Sequence, residues 1–337
     1  MTAASARQGA SFSAFQFHPG YRRMFAPGEL TVGIFLPLRP YQGRMEPLLQ
    51  QTALVREIDR LDFAAIWVRD VPLADPSFGD VGQVFDPFNY LAFLAAQTQR
   101  VSLATGSALF SLRHPLDLAK SAATVDQLSG GRLVLGVASG DRPIEFPAYG
   151  LDHGQRGVRF AQAIDDFRQL LQTETRHLDS PLGRFSNAEL LPKPYASRIP
   201  LMITGACGQS PEWIAVNADG WLTYPGATHT PLGPEQLAAK IHAWRHAIPD
   251  GGFRPHITNE WLDLADDPDY PRTPLQGGFV LRTGRKGLLA LLEEWRAAGV
   301  NHAALGLQHG ARPVAQVLQE LAEEVLPHFP SFGNSTG

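Results

Sequence analysis

The chain has 337 residues, 44% of them hydrophobic, enough to bury a large core either as two average domains or as one large barrel. Its 29 basic and 33 acidic residues give a formal charge of -4, which removes the electrostatic case for nucleic acid or an anionic membrane surface and leaves small molecules as the default partners. No apolar run approaches the roughly 20 residues of a membrane span, and the lone Cys207 excludes an intrachain disulfide and points to a reducing compartment.

Residues 1–28 contain no continuous apolar region of signal-peptide type, so the expected location is the cytoplasm. Their phenylalanines suggest an N-terminal arm lying on the rest of the protein or on a partner subunit. From residue 30 the pattern alternates. A strand over 30–36 leads to a helix over 46–61 with Leu54, Ile58 and Leu61 on one face, then a strand over 64–69. The loop VPLADPSFGDVGQVFDP follows, and its prolines and glycines forbid regular structure through most of it. A helix over 88–99 enters the most informative stretch, 100–150. There a strand over 101–108 stops at Phe110-Ser111-Leu112-Arg113, and Pro115 opens a helix, where its missing N–H costs nothing. Leu118, Ala122 and Val125 form that helix's inner stripe, and Gly130-Gly131 supply its left-handed end. The apolar strand over 132–138 ends in Ser139-Gly140-Asp141-Arg142, a polar loop where parallel sheets bind ligands.

A helix over 156–172 and a Pro/Gly-punctuated excursion through 194 come next. Strands over 199–204, 220–224, 255–264 and 300–307 then alternate with helices over 210–218 and 234–247 and two more. The seventh helix carries Leu288, Leu291, Leu292 and Trp295, the eighth Val314, Val317, Leu318, Leu321 and Val325. The stretch 265–283 is long enough for a lid. Eight strands alternating with eight helices in about 300 residues predict an α/β chain forming one (β/α)₈ TIM barrel over 29–328, with extended loops at its C-terminal mouth and a tail over 329–337. An open doubly wound sheet is weakened by FLPLRPYQGR after the first strand, which has no Gly-x-Gly-x-x-Gly turn.

The strongest chemical signal besides 139–142 is Thr204-Gly205-Ala206-Cys207-Gly208-Gln209-Ser210-Pro211-Glu212, a glycine-containing turn entering a helix through an N-cap and a first-turn proline. Free N–H groups there make an anion site, although an ordinary capped βα turn reads the same way. Cys207 fits a small buried residue better than a nucleophile, since no His lies near it in sequence. Asp70, Asp141 and Arg142 stand at strand ends, as site residues or structural ion pairs. His114 reads as a helix cap before a catalytic group. Phe146 and Trp221 could meet a planar ligand or fill the core. The four lysines, Lys120, Lys193, Lys240 and Lys286, fall away from strand ends, which argues against Schiff-base chemistry. Metal-ligand spacing and a Gly-x-Ser-x-Gly elbow are both absent. An anion anchor beside an apolar mouth with little acid-base equipment suits a bound cofactor that carries the reactivity.

From about residue 30 to 327 the chain resembles the bacterial luciferase-like flavin-dependent oxidoreductases. The resemblance rests on Thr105-Gly106-Ser107, Arg113-His114-Pro115, Asp126-Gln127-Leu128-Ser129-Gly130-Gly131-Arg132, Leu135-Gly136-Val137-Ala138-Ser139-Gly140 and Ala218-Asp219-Gly220-Trp221. It implies FMN across the barrel mouth, and commonly a homodimer. Thr105 and Gly106 would support the flavin ring, with a non-prolyl cis bond at 105–106 or 106–107. Ser139 and Gly140 would lie near the ribityl phosphate, and Gly205, Ala206, Cys207, Gly208 and Ser210 would bind it. Many members place a His after the acidic residue ending the second strand; here Asp70 is followed by Val71-Pro72. Asp70, paired with Arg69, Arg113 or Arg142, is therefore the catalytic candidate, together with Arg113. The implied activity is a two-component monooxygenase using oxygen, a flavin reductase and a small organic substrate. A deazaflavin-dependent reductase and a non-catalytic flavin carrier are the alternatives, the latter disfavoured by the lid-length loops 71–86 and 265–283.

Overall fold

The computed structural model describes residues 15–38, 48–75, 77, 85–172, 174 and 176–333. The first half of the arm over 1–28, the start of the helix expected from 46, residues 76 and 78–84 of the loop after the second strand and the end of the tail lie outside the described residues.

In chain order the strands are β1 (Thr31–Phe35), β2 (Ala65–Val68), β3 (Ser102–Leu109), β4 (Leu133–Ala138), β5 (His177–Ser180), β6 (Gly183–Ser186), β7 (Leu201–Thr204), β8 (Gly220–Leu222), β9 (His256–Leu264), β10 (Thr273–Leu275), β11 (Val280–Thr283) and β12 (His302–Gly306). The helices are α1 (Pro19–Met24), α2 (Leu48–Arg60), α3 (Pro87–Gln97), α4 (Pro115–Leu128), α5 (Glu145–Ala148), α6 (Arg156–Leu171), α7 (Pro211–Asn217), α8 (Leu232–His246), α9 (Arg285–Ala298) and α10 (Val314–Glu320). Strands β1, β2, β3, β4, β7, β8, β9 and β12 pair in parallel in that order, and β12 returns to β1, so the sheet closes as the expected (β/α)₈ barrel. All eight C-terminal ends therefore meet on one rim.

Two stretches carry more regular structure than their composition predicts. The excursion after α6 contains the antiparallel β5–β6 hairpin. The expected lid over 265–283 is tied down: β11 pairs in parallel with β9, and β10 pairs antiparallel with β11, extending the sheet past the barrel. Short strands of three and four residues between prolines and glycines give too little alternation to be read from sequence.

The core has two layers. Between helices and sheet lie Leu118, Ala122 and Val125 of α4 and Leu288, Leu291, Leu292 and Trp295 of α9, the faces their spacing predicts. Inside the barrel, Phe35, Trp67, Val134, Met202, Ile257 and Trp261 pack together, with Met24 and Phe25 below them. The described part of the N-terminal segment thus fills the barrel's lower end rather than lying over its outside. A buried polar relay fixes it: Trp67 Nε1 donates to His302 Nε2 at 2.9 Å, leaving Nδ1 to donate to Thr31 Oγ1 at 2.7 Å, and Thr31 in turn donates to the Met24 carbonyl at 2.8 Å. Burial pulls His302 down to about 3, so the ring is neutral and its one proton serves one bond.

Where β3 meets β4, the backbones approach unusually closely. The register slips between Thr105 and Ala108, the Gly106-Ser107 peptide is cis, as one of the two expected positions, and Thr105 Oγ1 donates to the Gly136 carbonyl at 2.7 Å. A Cβ on Gly136 would stand 2.0 Å from the Thr105 carbonyl oxygen, a contact only backbone movement can relieve. Gly136→Ala should accordingly cost about 1 to 3 kcal/mol, the range of core overpacking. Urea unfolding measures this, and an unchanged midpoint would refute the close approach.

Candidate active site

A cavity of about 780 Å³ opens at the C-terminal rim. Its floor is where β3 leaves the ladder, at Gly106 and Ser107. A Cβ on Gly106 would meet the Phe35 ring at 2.4 Å, so this position stays bare and flat. Ser107 and Thr204 join hydroxyls across the floor.

On one side lies the turn after β7. Gly205, Cys207 and Gly208 all have positive φ (62°, 51° and 73°), the left-handed conformation that curls a chain tightly before a helix. The Gly205 and Gln209 amides are spent within the fold, on Leu222 and Ala206 carbonyls. Those of Ala206, Cys207 and Gly208 donate to no backbone carbonyl among the described residues. Helix α6 begins against this turn: Gly157 and Gly208 touch, a Cβ on Gly208 falling 3.0 Å from the Gly157 Cα, and Gln209 Nε2 donates to the Gly157 and Cys207 carbonyls at 2.7 and 3.2 Å. Arg156, the first residue of α6, thereby lines the same cavity as Gly205, Ala206, Cys207 and Gly208, with Ser139 and Gly140 beside them. Cys207 itself is buried, donates through Sγ to the Thr204 carbonyl at 3.0 Å, and has its thiol pushed up by burial to about 11. It is an inert turn residue, not a nucleophile.

The opposite side carries Arg69, Asp70, Arg142 and Glu145, and the top is aromatic, with Trp261, Phe279 and Tyr224 beside Asn259. Of the three expected partners, Asp70 pairs with Arg113, whose Nη2 and Nε donate to the two carboxylate oxygens at 2.8 and 3.1 Å. The Leu109 amide adds a bond at 3.0 Å. Burial pulls Arg113 down, but its bonds to Asp70 and the charges of Asp70 and Asp86 more than offset this and hold it well above the usual value. The group ties the end of β2 to the end of β3 and leaves Asp70 little freedom.

Three of the expected site residues do not line the cavity. Thr105 is buried beneath the floor, its hydroxyl spent on Gly136. Arg113 stands behind Asp70. Ser210 is directed to its own helix, where its hydroxyl accepts the Trp213 amide at 3.2 Å as the N-cap of α7. A cap hydroxyl is occupied by the very amides that made the position attractive as an anion site. His114 is a cap too: Nδ1 accepts from the Leu116 amide at 3.1 Å and Nε2 donates to the Leu182 carbonyl at 2.7 Å. Phe146 is fully buried behind Gly140, and Trp221 packs on Trp244 while donating to the Gly205 carbonyl at 2.9 Å, so neither offers a face to a ligand.

Sequence reasoning missed Arg156, Glu145, Asn259 and Trp261. Two-residue alternation within the strand over 255–264 was the available signal for Asn259 and Trp261. For Arg156 it was a cation in the first turn of a long helix following a glycine-rich loop.

A sequence model described as luciferase-like monooxygenase matches residues 30–254. An uncharacterized protein of Mycobacterium tuberculosis is 35% identical over 161 residues, 45% of this chain and 57% of that protein. The chain spans less than two thirds of the length of the curated relatives it matches first. Among solved structures, the monooxygenase RslO1 from Streptomyces bottropensis aligns over 89% of this chain and 99% of its own with a TM-score of 0.73 at 23% identity. An F420-dependent secondary alcohol dehydrogenase covers 90% of this chain and 100% of its own at 0.70 and 18%. These likenesses show the fold, and they include proteins described as monooxygenases and as F420-dependent.

Asp70→Asn would place an amide N–H₂ against either the Arg113 or the Leu109 donor and leave Arg113 with Asp86 as its remaining anion, at 2.9 Å. Its expected cost is about 1 to 3 kcal/mol in urea unfolding, the penalty for an unsatisfied buried polar group. Wild-type stability would show that the pair does not bind the strand ends together.

Proposed function

Because the chain belongs to the luciferase-like monooxygenase family, we propose that its rim cavity holds FMN and that the protein is the oxygenase of a two-component monooxygenase. Its co-substrates are molecular oxygen and a small organic compound, and reduced flavin is supplied by a separate flavin reductase. The observation that carries this reading is the turn over 205–208 with Arg156: three left-handed residues shape a cavity-lining turn whose Ala206, Cys207 and Gly208 amides donate to no backbone carbonyl among the described residues, and Arg156, at the start of a 16-residue helix, lines the same cavity. Such a cradle suits a phosphate and explains how the chain dispenses with a lysine there. The bare, flat floor at Gly106-Ser107 suits the face of a planar ring.

FMN, when bound and reduced, supplies the electrons and the reaction with oxygen. The chain's own residues bind, orient and exclude water. Ala206 to Gly208 and Arg156 would hold the phosphate end, and Ser139 and Gly140 would lie beside it. Phe35 at the floor and Trp261 and Phe279 at the top would give the ring's surroundings apolar faces, which limits water beside the reacting atoms. Asp70, bound on both oxygens, is a positioning residue rather than an acid or base, and Arg113 acts through it. A deazaflavin coenzyme carries the same phosphate-bearing arm, and the family includes members described as flavin-dependent and as F420-dependent. Titration with FMN and with F420 separates the readings. Tight binding of F420 alone would replace monooxygenation by hydride transfer.

Arg156→Gln should weaken FMN by roughly 1.5 to 3 kcal/mol, the range of a hydrogen bond to a charged group, and riboflavin far less. Cys207→Asp, tolerated at this positive φ, should discriminate more strongly because it sets a carboxylate against the phosphate. Ser210→Ala should leave FMN affinity unchanged and lower stability by about 1 kcal/mol through the lost cap. Equal losses of FMN and riboflavin affinity in both of the first two variants would move the anion elsewhere.

A further inference from the structure

Glu145 opens the four-residue helix α5, directly beyond the loop that follows β4. Its neighbour Phe146 is fully buried, packed edge-on against His153 at 4.9 Å and filling the space over Gly140. This anchor holds the turn at the cavity wall, which Glu145 lines. The residue is only 1% exposed, yet among the described residues neither carboxyl oxygen meets a donor at full hydrogen-bond distance and angle, the Leu73 amide bearing on it more weakly. No ion pair reaches it among the described residues, and no group of acidic or imidazole side chains there could share a metal. A buried carboxyl left without partners costs stability and is seldom kept for packing. His153 Nε2, on the same wall, also lacks a hydrogen-bond partner among the described residues.

We propose that Glu145 is a catalytic proton donor and acceptor for the substrate of this cavity, and that the substrate class is a small organic compound presenting a carbonyl or hydroxyl oxygen to it. The inference rests on the reading of the cavity as an enzyme site, whichever flavin or deazaflavin it holds. In the donating direction the Glu145 O–H bond breaks with its electron pair left on the carboxylate, and a lone pair of the substrate oxygen forms the new O–H bond. The accepting direction is the reverse, with the proton returning to the carboxylate. Oxygen-centred substrates need such a group because their charge changes as they are oxidised or reduced.

The electrostatics agree with the geometry. Burial pushes the Glu145 carboxyl from its ordinary 4.5 to about 7; Arg142 and the Leu73 amide oppose the rise, and Asp70 and Asp141 add to it. The other charged or titratable groups bearing on this region are Arg69 and Arg156, which line the same cavity, Arg113, already committed to Asp70 and Asp86, and Tyr149 and His153. Since the folded value lies above the unfolded one, the folded protein holds a proton that the unfolded chain releases. Stability is therefore lost as pH rises from about 4.5 to about 7.

The test uses the whole protein, with and without FMN, and acetophenone as a carbonyl probe whose C=O stretch reports hydrogen bonding. In the wild type the bound probe should absorb at lowered frequency near about pH 5.5 and return toward the unbonded position by about pH 8.5, as the carboxyl ionises. E145Q should hold one position at both pH values. E145L should show the unbonded position throughout and bind the probe about tenfold more weakly, the worth of one hydrogen bond. Independently of any ligand, E145Q should melt above the wild type at about pH 8 and close to it at about pH 5. A wild-type band that ignores pH, an E145L band like the wild type's, or acetophenone that does not bind would each overturn the proposal. FMN affinity should be equal in all three proteins. Its absence from the wild type would sink the cofactor reading while leaving the probe result to decide the role of Glu145.

Discussion

The site depends on the close contact between β3 and β4. Because Gly136 has no side chain, the Thr105 carbonyl can lie against its backbone, and the Thr105 hydroxyl can donate to the Gly136 carbonyl. The two strands are thereby locked just before the register slips, and Gly106 and Ser107 are pushed out of the ladder to become the cavity floor. Any side chain at 106 would strike Phe35, which is itself wedged between Trp67 and Trp261. Floor, inner wall and barrel core are thus one packed unit, and interiors at such density transmit a displaced methyl group rather than absorb it.

Charge is arranged around that unit in two separate regions. At the turn over 205–208 the fold presents amides and Arg156 with no facing carboxylate on the same turn, a place where negative charge is favoured. Across the cavity the carboxylates are dealt with individually. Asp70 is compensated by Arg113 and by an amide, which fits an ionised strut. Glu145 has no such pairing: Arg142 and the Leu73 amide only partly oppose burial, which pushes its carboxyl up to about 7. Two acidic residues a short distance apart in one cavity differ in role because their partners differ, which is how a single fold separates a structural anion from a titrating one.

Much of this was legible in the sequence because the barrel imposes two simple periodicities. Parallel strands buried on both faces read as apolar runs, and the helices covering them carry stripes such as Leu118, Ala122 and Val125. The turns holding Ser139-Gly140 and Gly205 to Gly208 could be found because glycine is the usual residue where the backbone must curl toward a ligand. Legibility failed where a residue's function depends on a distant element. Ser210 and Arg156 both stand at helix starts, and only packing of α6 against the 205–208 turn decides which of the two faces the cavity. Glu145 looks like any charged residue in a loop; its isolation follows from Phe146 anchoring the turn. The strands β10 and β11 were hidden for another reason, since their pairing with β9 and not their own composition makes them strands.

The case of Ser210 carries a further physical lesson. A hydroxyl that caps a helix and a hydroxyl that binds a phosphate satisfy the same orphan amides, so one Ser oxygen cannot fully serve both. In this chain the cap has it, through the Trp213 amide. An anion bound nearby must then be held by amides upstream of the cap, and these are available only because Gly205, Cys207 and Gly208 take up left-handed conformations before the helix begins. The two glycines meet that requirement without strain, whereas Cys207 meets it at a cost of order 1 kcal/mol that its buried, hydrogen-bonded side chain must offset. The thiol's contact with the Thr204 carbonyl ties the middle of the curl to the end of β7. What Cys207 contributes is therefore shape: it holds the amide row open toward Arg156 and needs no reactivity of its own to do so.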